Sequence, residues 1–110
     1  ACFMVRKQLY IDMLGFDEKL AVAFNDVDFC LKVRTAKYLI VYNPFVEAYH
    51  YESKSRGEDT ENSEKQKRFA KEYELFVKRW SKVIAKGDPY YNKNYRLDTD
   101  LPKINYNKIN

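Results

Sequence analysis

The sequence has few of the residues that mark several classes of protein. Its 110 residues include only three glycines, three prolines, two cysteines and one histidine. So little glycine and proline argues against a low-complexity or collagen-like chain. The two cysteines stand among apolar neighbours and predict reduced core thiols rather than a disulfide framework. They are also too far from each other and from the histidine in sequence to suggest a small zinc site.

Long apolar runs are absent as well. No stretch approaches the roughly 18 apolar residues of a membrane-spanning helix. No basic-then-apolar leader precedes a small-residue cleavage site, so we expect no secretion signal and, with reduced thiols, a cytoplasmic protein. The opening residues ACFMV look like the interior of a strand. We therefore expect this chain to be a piece of a longer protein.

What the sequence does contain is apolar, aromatic and weakly basic. Hydrophobic residues make up 45% of it, with ten tyrosines and seven phenylalanines, which is enough for the core of one small domain. The formal charge of +4 permits an anionic ligand such as a diphosphate and does not demand nucleic acid. Much of the basic charge lies in residues 65–86, interleaved with glutamate, as on a solvated helix face.

The hydrophobic pattern predicts strands and helices in alternation. Residues 1–5, 38–43 and 45–51 are rich in β-branched and aromatic residues and predict strands. Residues 6–14 predict a helix that stops at Gly15, and a second helix is predicted to begin at Asn25.

The second half of the chain gives the strongest periodic signal. Apolar residues recur every three or four positions over 62–86 and predict a long amphipathic helix that ends near Gly87. Its aromatic residues are more typical of core packing than of a sugar-stacking platform. A mobile polar loop is predicted over 52–64, overlapping the start of this helix, and an extended tail is predicted from residue 88 onward.

The segment AFNDVDFCLK, residues 23–32, places two carboxylates inside an apolar run. A lone buried carboxylate costs several kcal/mol, of order 2–7 for an unpaired polar group. With Asn25 as N-cap, Asp26 and Asp28 fall in the first helical turn, where the helix dipole favours anions. Local sequence alone leaves open whether both are capping residues or one performs chemistry.

Four motifs in a fixed order resemble the C-terminal half of family 2 glycosyltransferases, which are nucleotide-sugar enzymes with the GT-A fold. They are ACFMVRK at 1–7, LGFDEKLAVAFNDVDFCLKVR at 14–34, YLIVYNPFVEAYHYESKSRG at 38–57, and Trp80 followed by DPYYNKNY at 88–95. The likeness reaches to about residue 98. One motif alone would be weak, whereas four in this order are fairly specific.

The resemblance implies a fold class and a domain plan. The chain would be an α/β protein, the acceptor-side part of a GT-A-type mixed-sheet domain. Residues 1–61 would form the acceptor and catalytic part, 62–87 the amphipathic helix and 88–110 the extended tail. The nucleotide-binding half with its metal-binding DXD motif would lie outside this chain. The letters DVD at 26–28 match the family's later acidic motif instead.

The resemblance also implies roles for individual residues. Transfer with inversion needs a base within hydrogen-bond reach of the acceptor hydroxyl, and Asp26 matches that base. Asp28 is then expected to cap the helix or to pair with Lys32 or Arg34.

The family's donor side implies further site residues. His50 would help hold a divalent cation, Mn²⁺ or Mg²⁺. Ser53, Lys54 and Arg56, beside Gly57, would attend the diphosphate leaving group. Without the resemblance, this histidine could equally be structural and the loop merely soluble.

Two positions depart from the family pattern. The family often has Gly-Gly before FDE, whereas Leu14 precedes Gly15 here. It usually has glycine where this chain has Lys37, a place suited to a left-handed helix cap. Neither departure affects the proposed chemistry.

The expected partners follow from this enzyme class. They are a nucleotide-sugar donor and a surface-glycan or lipid-linked acceptor, with location at the inner face of the membrane through the rest of the longer protein. The isolated chain is expected to be inactive and to self-associate through exposed strand edges. The alternative is a non-catalytic basic and aromatic interaction module, which would need a contiguous Lys/Arg face.

Overall fold

The computed structural model describes residues 2–49, 63–92, 94–96, 98, 103 and 104. Three helices lie in these residues: α1 (Lys7–Asp12), α2 (Asn25–Thr35) and α3 (Ser63–Ala85). They confirm the three predicted helices. The chain forms two compact units, Ala1–Arg79 and Trp80–Asn110. The backbone of α3 leaves the helical region at Trp80, with φ −103° and ψ 15°.

An aromatic cluster around Phe29 joins α1 to α2 in the first unit. Phe29 is 2% exposed. Its ring centroid lies 5.2 Å from that of Tyr10 and 5.8 Å from those of Phe3 and Phe16. Such aromatic pairs contribute about 0.5–1.5 kcal/mol each beyond the area they bury. Residues before, within and after α1 are therefore packed on a single ring of α2.

A second aromatic cluster packs α3 against the start of α2. The ring of Phe24 lies 5.0 Å from Phe76, 5.5 Å from Phe69 and 6.0 Å from Tyr73, measured between centroids. The spacing of these α3 residues is the three-and-four pattern that predicted an amphipathic helix. Phe76 is buried, and Tyr73 keeps about half of its surface exposed. The expectation that this aromatic stripe packs in the core is confirmed for Phe76.

The predicted strands are not formed within the described part of this chain. Residues 2–5 and 38–49 lie outside helices and strands, and the one β-bridge among the described residues joins Tyr95 and Ile104. Tyr42 and Phe45 are 85% and 91% exposed. A strand requires a hydrogen-bonded neighbour, and no described segment pairs with these residues. The GT-A-type mixed sheet therefore stays a prediction.

The start of α2 differs from the sequence-based prediction. Asn25 is the first helical residue, and the N-cap position belongs to Phe24, whose φ of +65° is left-handed. The side chain of a phenylalanine has no polar group, so it does not cap the helix by a hydrogen bond. A left-handed backbone is costly for a bulky residue. Phe24 keeps it because its ring is held in the second aromatic cluster.

Helices α1 and α2 end in the same way. The N–H of Leu14 donates to Ile11 and that of Gly15 to Tyr10. At the end of α2 the N–H of Lys37 donates to Arg34, and that of Tyr38 to Val33. These paired bonds form the Schellman motif, which places its C′ residue in the left-handed region.

The residues at the C′ positions are the two that depart from the family pattern. Leu14 has φ +59° and Lys37 has φ +69°. The backbone at Lys37 is therefore left-handed, the case in which a lysine at this position carries a cost. After Leu14, Gly15 is also left-handed, and a Cβ there would lie 2.8 Å from the ring of Tyr10. Glycine at this second position is thus required by packing as well as by backbone angle.

The second unit contains the end of α3 and the described part of the tail. Gly87 follows α3 with φ +71°. The N–H of Arg96 donates to the carbonyl of Lys103 over 2.8 Å, next to the bridge between Tyr95 and Ile104. The guanidinium of Arg96 also binds Asp98 and lowers the pKa of that carboxyl to about 2. These contacts give the tail local order.

The two cysteines are free thiols that differ in burial. Cys30 is partly buried on α2, whereas Cys2 is exposed. The prediction of two core thiols is thus wrong for Cys2, since the strand that was to bury it is not formed.

We expect Lys37→Gly to stabilise the first unit by about 1 kcal/mol, because glycine adopts the left-handed C′ conformation without the Cβ penalty. The measurement is chemical denaturation at neutral pH. Lys37→Ala is the control, since it removes the charge and the long side chain but keeps the Cβ. Equal stabilisation by both substitutions would contradict a backbone origin.

Candidate functional site

The first turn of α2 carries both candidate carboxylates, and their surroundings differ sharply. Asp28 is fully buried, whereas Asp26 is partly exposed. The helix begins with the N–H of Asp28 donating to the carbonyl of Phe24 over 2.8 Å. The two aspartates therefore lie two residues apart in the first turn of a helix whose start is held by a backbone hydrogen bond.

Two cations neutralise the buried carboxylate. Nη1 of Arg79 donates to Oδ1 of Asp28 over 2.8 Å, and Nζ of Lys32 lies 3.1 Å from its Oδ2. Lys32 also donates to the carbonyl of Gly15 over 3.2 Å. Of the two partners that the sequence suggested for Asp28, Lys32 is confirmed. Arg34 instead donates to the carbonyl of Tyr38 over 3.3 Å.

Arg79 holds a second carboxylate at the same time. Its Nη2 donates to Oδ2 of Asp17 over 2.5 Å, while Nη1 binds Asp28. The N–H of Lys19 also donates to Asp17, and this bond, together with the guanidinium, lowers the pKa of Asp17. The planar guanidinium suits such a two-carboxylate contact better than an ammonium would. One side chain of α3 thus binds both the loop before α2 and the first turn of α2.

A second polar contact from α3 reaches the residue just before the helix. Glu72 is only 4% exposed, and its Oε2 accepts a hydrogen bond from the N–H of Ala23 over 2.6 Å. A guanidinium nitrogen of Arg68 lies 3.8 Å from its other oxygen. A buried carboxylate that accepts a backbone N–H fixes the position of that backbone.

Glu72, Phe76 and Arg79 lie on one face of α3, at intervals of four and three residues. They contact Ala23, Phe24 and Asp28, in that order along α3. We call this set of contacts the α3 clamp. It holds the α2 start from both sides of residues 25–27.

Asp26 lies between the two ends of the clamp. Its Oδ1 accepts a hydrogen bond from the N–H of Val27 over 2.8 Å. Burial raises the pKa of the Cys30 thiol, and the negative charge of Asp26, one helical turn earlier, raises it further. The Asp26 carboxylate thus lies over the turn that carries Cys30, in partial contact with solvent.

Sequence reasoning missed the two α3 residues that organise this site. Arg79 and Glu72 lie 51 and 49 residues from their partners Asp28 and Ala23, and no local pattern relates them. A signal was present for Glu72, because it lies four residues before Phe76 on the buried face of α3. A charged residue on a buried helix face is rare unless it is paired.

The other predicted site residues lie outside the described residues: His50, Ser53, Lys54 and Arg56. Among the residues that the structure describes, no three side chains of histidine, cysteine, aspartate or glutamate come together as a metal site. In the same residues no helix is long and apolar enough to cross a bilayer.

We expect Asp28→Asn to destabilise the first unit by about 2 kcal/mol, since it removes the charge that Arg79 and Lys32 neutralise in a buried place. Asp26→Asn is the matched control, two residues away in the same turn, and should change stability by less than about 0.5 kcal/mol. Urea denaturation of both variants measures the difference. Similar losses for the two would contradict the separate roles assigned to these carboxylates.

The chain is similar to parts of several longer proteins. It is 44% identical over 100 residues to the uncharacterized protein y4gI of Sinorhizobium fredii, which covers 89% of this chain and 11% of that protein. It is 29% identical over 98 residues to the O-antigen biosynthesis protein RfbC of Myxococcus xanthus, covering 88% of this chain and 7% of that protein. No protein-family model matches the chain, and no solved structure matches it significantly.

A third relative is an enzyme by name. Over 59 residues the chain is 34% identical to the N-acetylglucosaminyl-diphospho-decaprenol L-rhamnosyltransferase of Mycobacterium tuberculosis, which covers 54% of this chain and 19% of that protein. The chain thus spans less than a fifth of the length of each of these relatives. It is related to part of a glycosyltransferase.

Proposed function

We propose that this chain is the acceptor-side part of an inverting family 2 glycosyltransferase with the GT-A fold. The longer protein would transfer a sugar from a nucleoside-diphosphate donor to a surface-glycan or lipid-linked acceptor. Similarity to a rhamnosyltransferase and to an O-antigen biosynthesis protein supports this class. The supporting observation in the structure is the partly exposed Asp26, in a helix start that the α3 clamp holds in place.

The proposed reaction assigns the base to Asp26. Its carboxylate takes the proton of the acceptor hydroxyl, and the resulting oxygen attacks the anomeric carbon on the face opposite the diphosphate. The bond from that carbon to the diphosphate oxygen breaks, so the configuration inverts. The first turn of α2 suits this role because the helix dipole favours negative charge there.

Asp28 is unsuited to the same role. Its carboxylate is fully buried and bound by Arg79 and Lys32, so an acceptor hydroxyl cannot approach it without breaking those contacts. Of two carboxylates in one turn, the partly exposed one is therefore the candidate base.

We assign the binding of the diphosphate leaving group to residues 53–56, which follow the third predicted strand, 45–51. Lys54 and Arg56, with Ser53, would neutralise the developing charge of the diphosphate. His50 would be one ligand of a divalent cation, Mn²⁺ or Mg²⁺, and such a cation would stabilise the same charge when bound. The proposal takes the remaining ligands from the longer protein, where the DXD motif is expected.

The fold proposal accounts for the exposure of residues 38–46. Side chains at both odd and even positions of this segment are exposed, including Leu39, Val41 and Tyr42. Strands of parallel sheets are buried on both faces and read as continuous apolar runs. We propose that this segment joins a mixed sheet built with the rest of the longer protein, at the cytoplasmic face of the membrane.

The interaction-module alternative finds less support. It needs a contiguous cationic face on α3, but among the described ion pairs Arg79 and Arg68 face carboxylates and Lys67 lies 3.8 Å from Glu64. The basic residues of α3 are thus partly engaged within the chain.

In the full-length protein, we expect Asp26→Asn to lower kcat at least about 100-fold, the usual contribution of a general base. Donor affinity should stay unchanged, since the base faces the acceptor. Turnover of a nucleotide-sugar and calorimetric donor binding measure the two effects. Asp12→Asn, on the exposed face of α1, is the control and should behave as wild type. If the Asp26→Asn variant retained turnover, Asp26 would not be the base.

A further inference from the structure

Glu72 is a buried carboxylate that the proposed reaction does not use. It is 4% exposed, it sits on the apolar face of α3, and its acceptor oxygen is aimed at one backbone N–H, that of Ala23. Burying a carboxylate is expensive unless it is paired or hydrogen-bonded, and Arg68 lies 3.8 Å from the other oxygen of Glu72. A glutamate at this buried position is therefore expected to have a specific role and not only to fill space.

The residue that follows Ala23 is strained. Phe24 adopts a left-handed backbone with φ +65° and ψ 1°, which is a true outlier for a bulky aromatic residue. Such conformations persist only where the surroundings over-determine them, and they concentrate at functional sites. Here Glu72 fixes the N–H just before Phe24, and Phe76 fixes the ring of Phe24 itself.

The strained residue sets the direction in which the chain enters α2. Asp26 follows Phe24 by two residues, and the position of its carboxylate depends on that entry direction. On the far side, Asp28 is held by Arg79. Without the contact from Glu72, the N–H of Ala23 would no longer be held, and only the ring contacts of Phe24 would oppose a change in the backbone that leads into α2.

We propose that Glu72 is a positioning residue for Asp26: through the N–H of Ala23 it holds Phe24 in its left-handed conformation and so aims the Asp26 carboxylate. This inference rests on the proposed function, in which Asp26 is the base. Displacement of a reacting group by about 1 Å can cost roughly 100-fold in rate. Glu72 would therefore act on kcat without touching substrate.

Two conservative substitutions of Glu72 distinguish the effect of its oxygen position from the effect of its charge. Glu72→Gln keeps a carbonyl oxygen at the same reach and removes the charge, so kcat in the full-length protein should stay within about threefold of wild type. Glu72→Asp keeps the charge and withdraws the oxygen by one methylene, so kcat should fall about tenfold or more, with donor KM unchanged. Glu74→Asp, on the exposed side of the same helix, is the matched control.

A second readout uses this chain alone. The Asp26 charge contributes to the raised pKa of Cys30, so the alkylation rate of Cys30 with iodoacetamide, in a Cys2→Ser background, reports where that carboxylate lies. Glu72→Asp should change the alkylation rate when Asp26 is present and have a smaller effect in an Asp26→Asn background. An equal effect in both backgrounds would show that Glu72 does not act through Asp26.

The outcomes distinguish the two proposals. Loss of turnover in Asp26→Asn with normal kcat in Glu72→Asp overturns the positioning role and leaves the base assignment standing. Turnover retained by Asp26→Asn overturns the base, and the thiol experiment then decides whether Glu72 still orients that carboxylate. A drop in melting temperature for Glu72→Asp with unchanged kcat would assign Glu72 to stability alone.

Discussion

One guanidinium organises the first unit of this chain. Arg79 of α3 binds Asp28 in the first turn of α2 and Asp17 in the loop before it. Asp28 is fully buried, and its charge would be prohibitive there without a cation. Because Arg79 and Lys32 supply the compensating positive charge from different elements, Asp28 is neutralised in its buried place only when α3, α2 and the loop are assembled. The packing of the first unit therefore depends on contacts between residues that are far apart in sequence.

This constraint separates two aspartates that look equivalent in sequence. Asp28 binds Arg79 and fixes the start of α2, whereas Asp26, two positions earlier, is partly exposed to solvent. Glu72 and Phe76 hold the chain before the helix, so Asp26 lies in a segment fixed at both ends. A carboxylate that is exposed but held in place is what a general base needs.

Local features were predictable from the sequence, and long-range ones were not. Periodicity located all three helices, and Lys37, where glycine would suit a left-handed cap, does have a left-handed backbone at the end of α2. The four-residue spacing suggested the pair of Asp28 and Lys32. The N-cap at Asn25 was wrong, because contacts from α3 and not a side-chain cap determine how the chain enters α2. Arg79 could not be assigned, since its partners lie 51 and 62 residues away. The strands depend on neighbours that the described residues do not supply.

The coupling free energy between Asp28 and Arg79 tests this account most directly. A double-mutant cycle with Asp28→Asn and Arg79→Gln, measured by urea denaturation, isolates their interaction from the effect of each side chain alone. The account predicts a coupling of at least about 1.5 kcal/mol, as for a hydrogen bond between charged groups in a buried place. A coupling below about 0.5 kcal/mol, within the error of additivity, would contradict it.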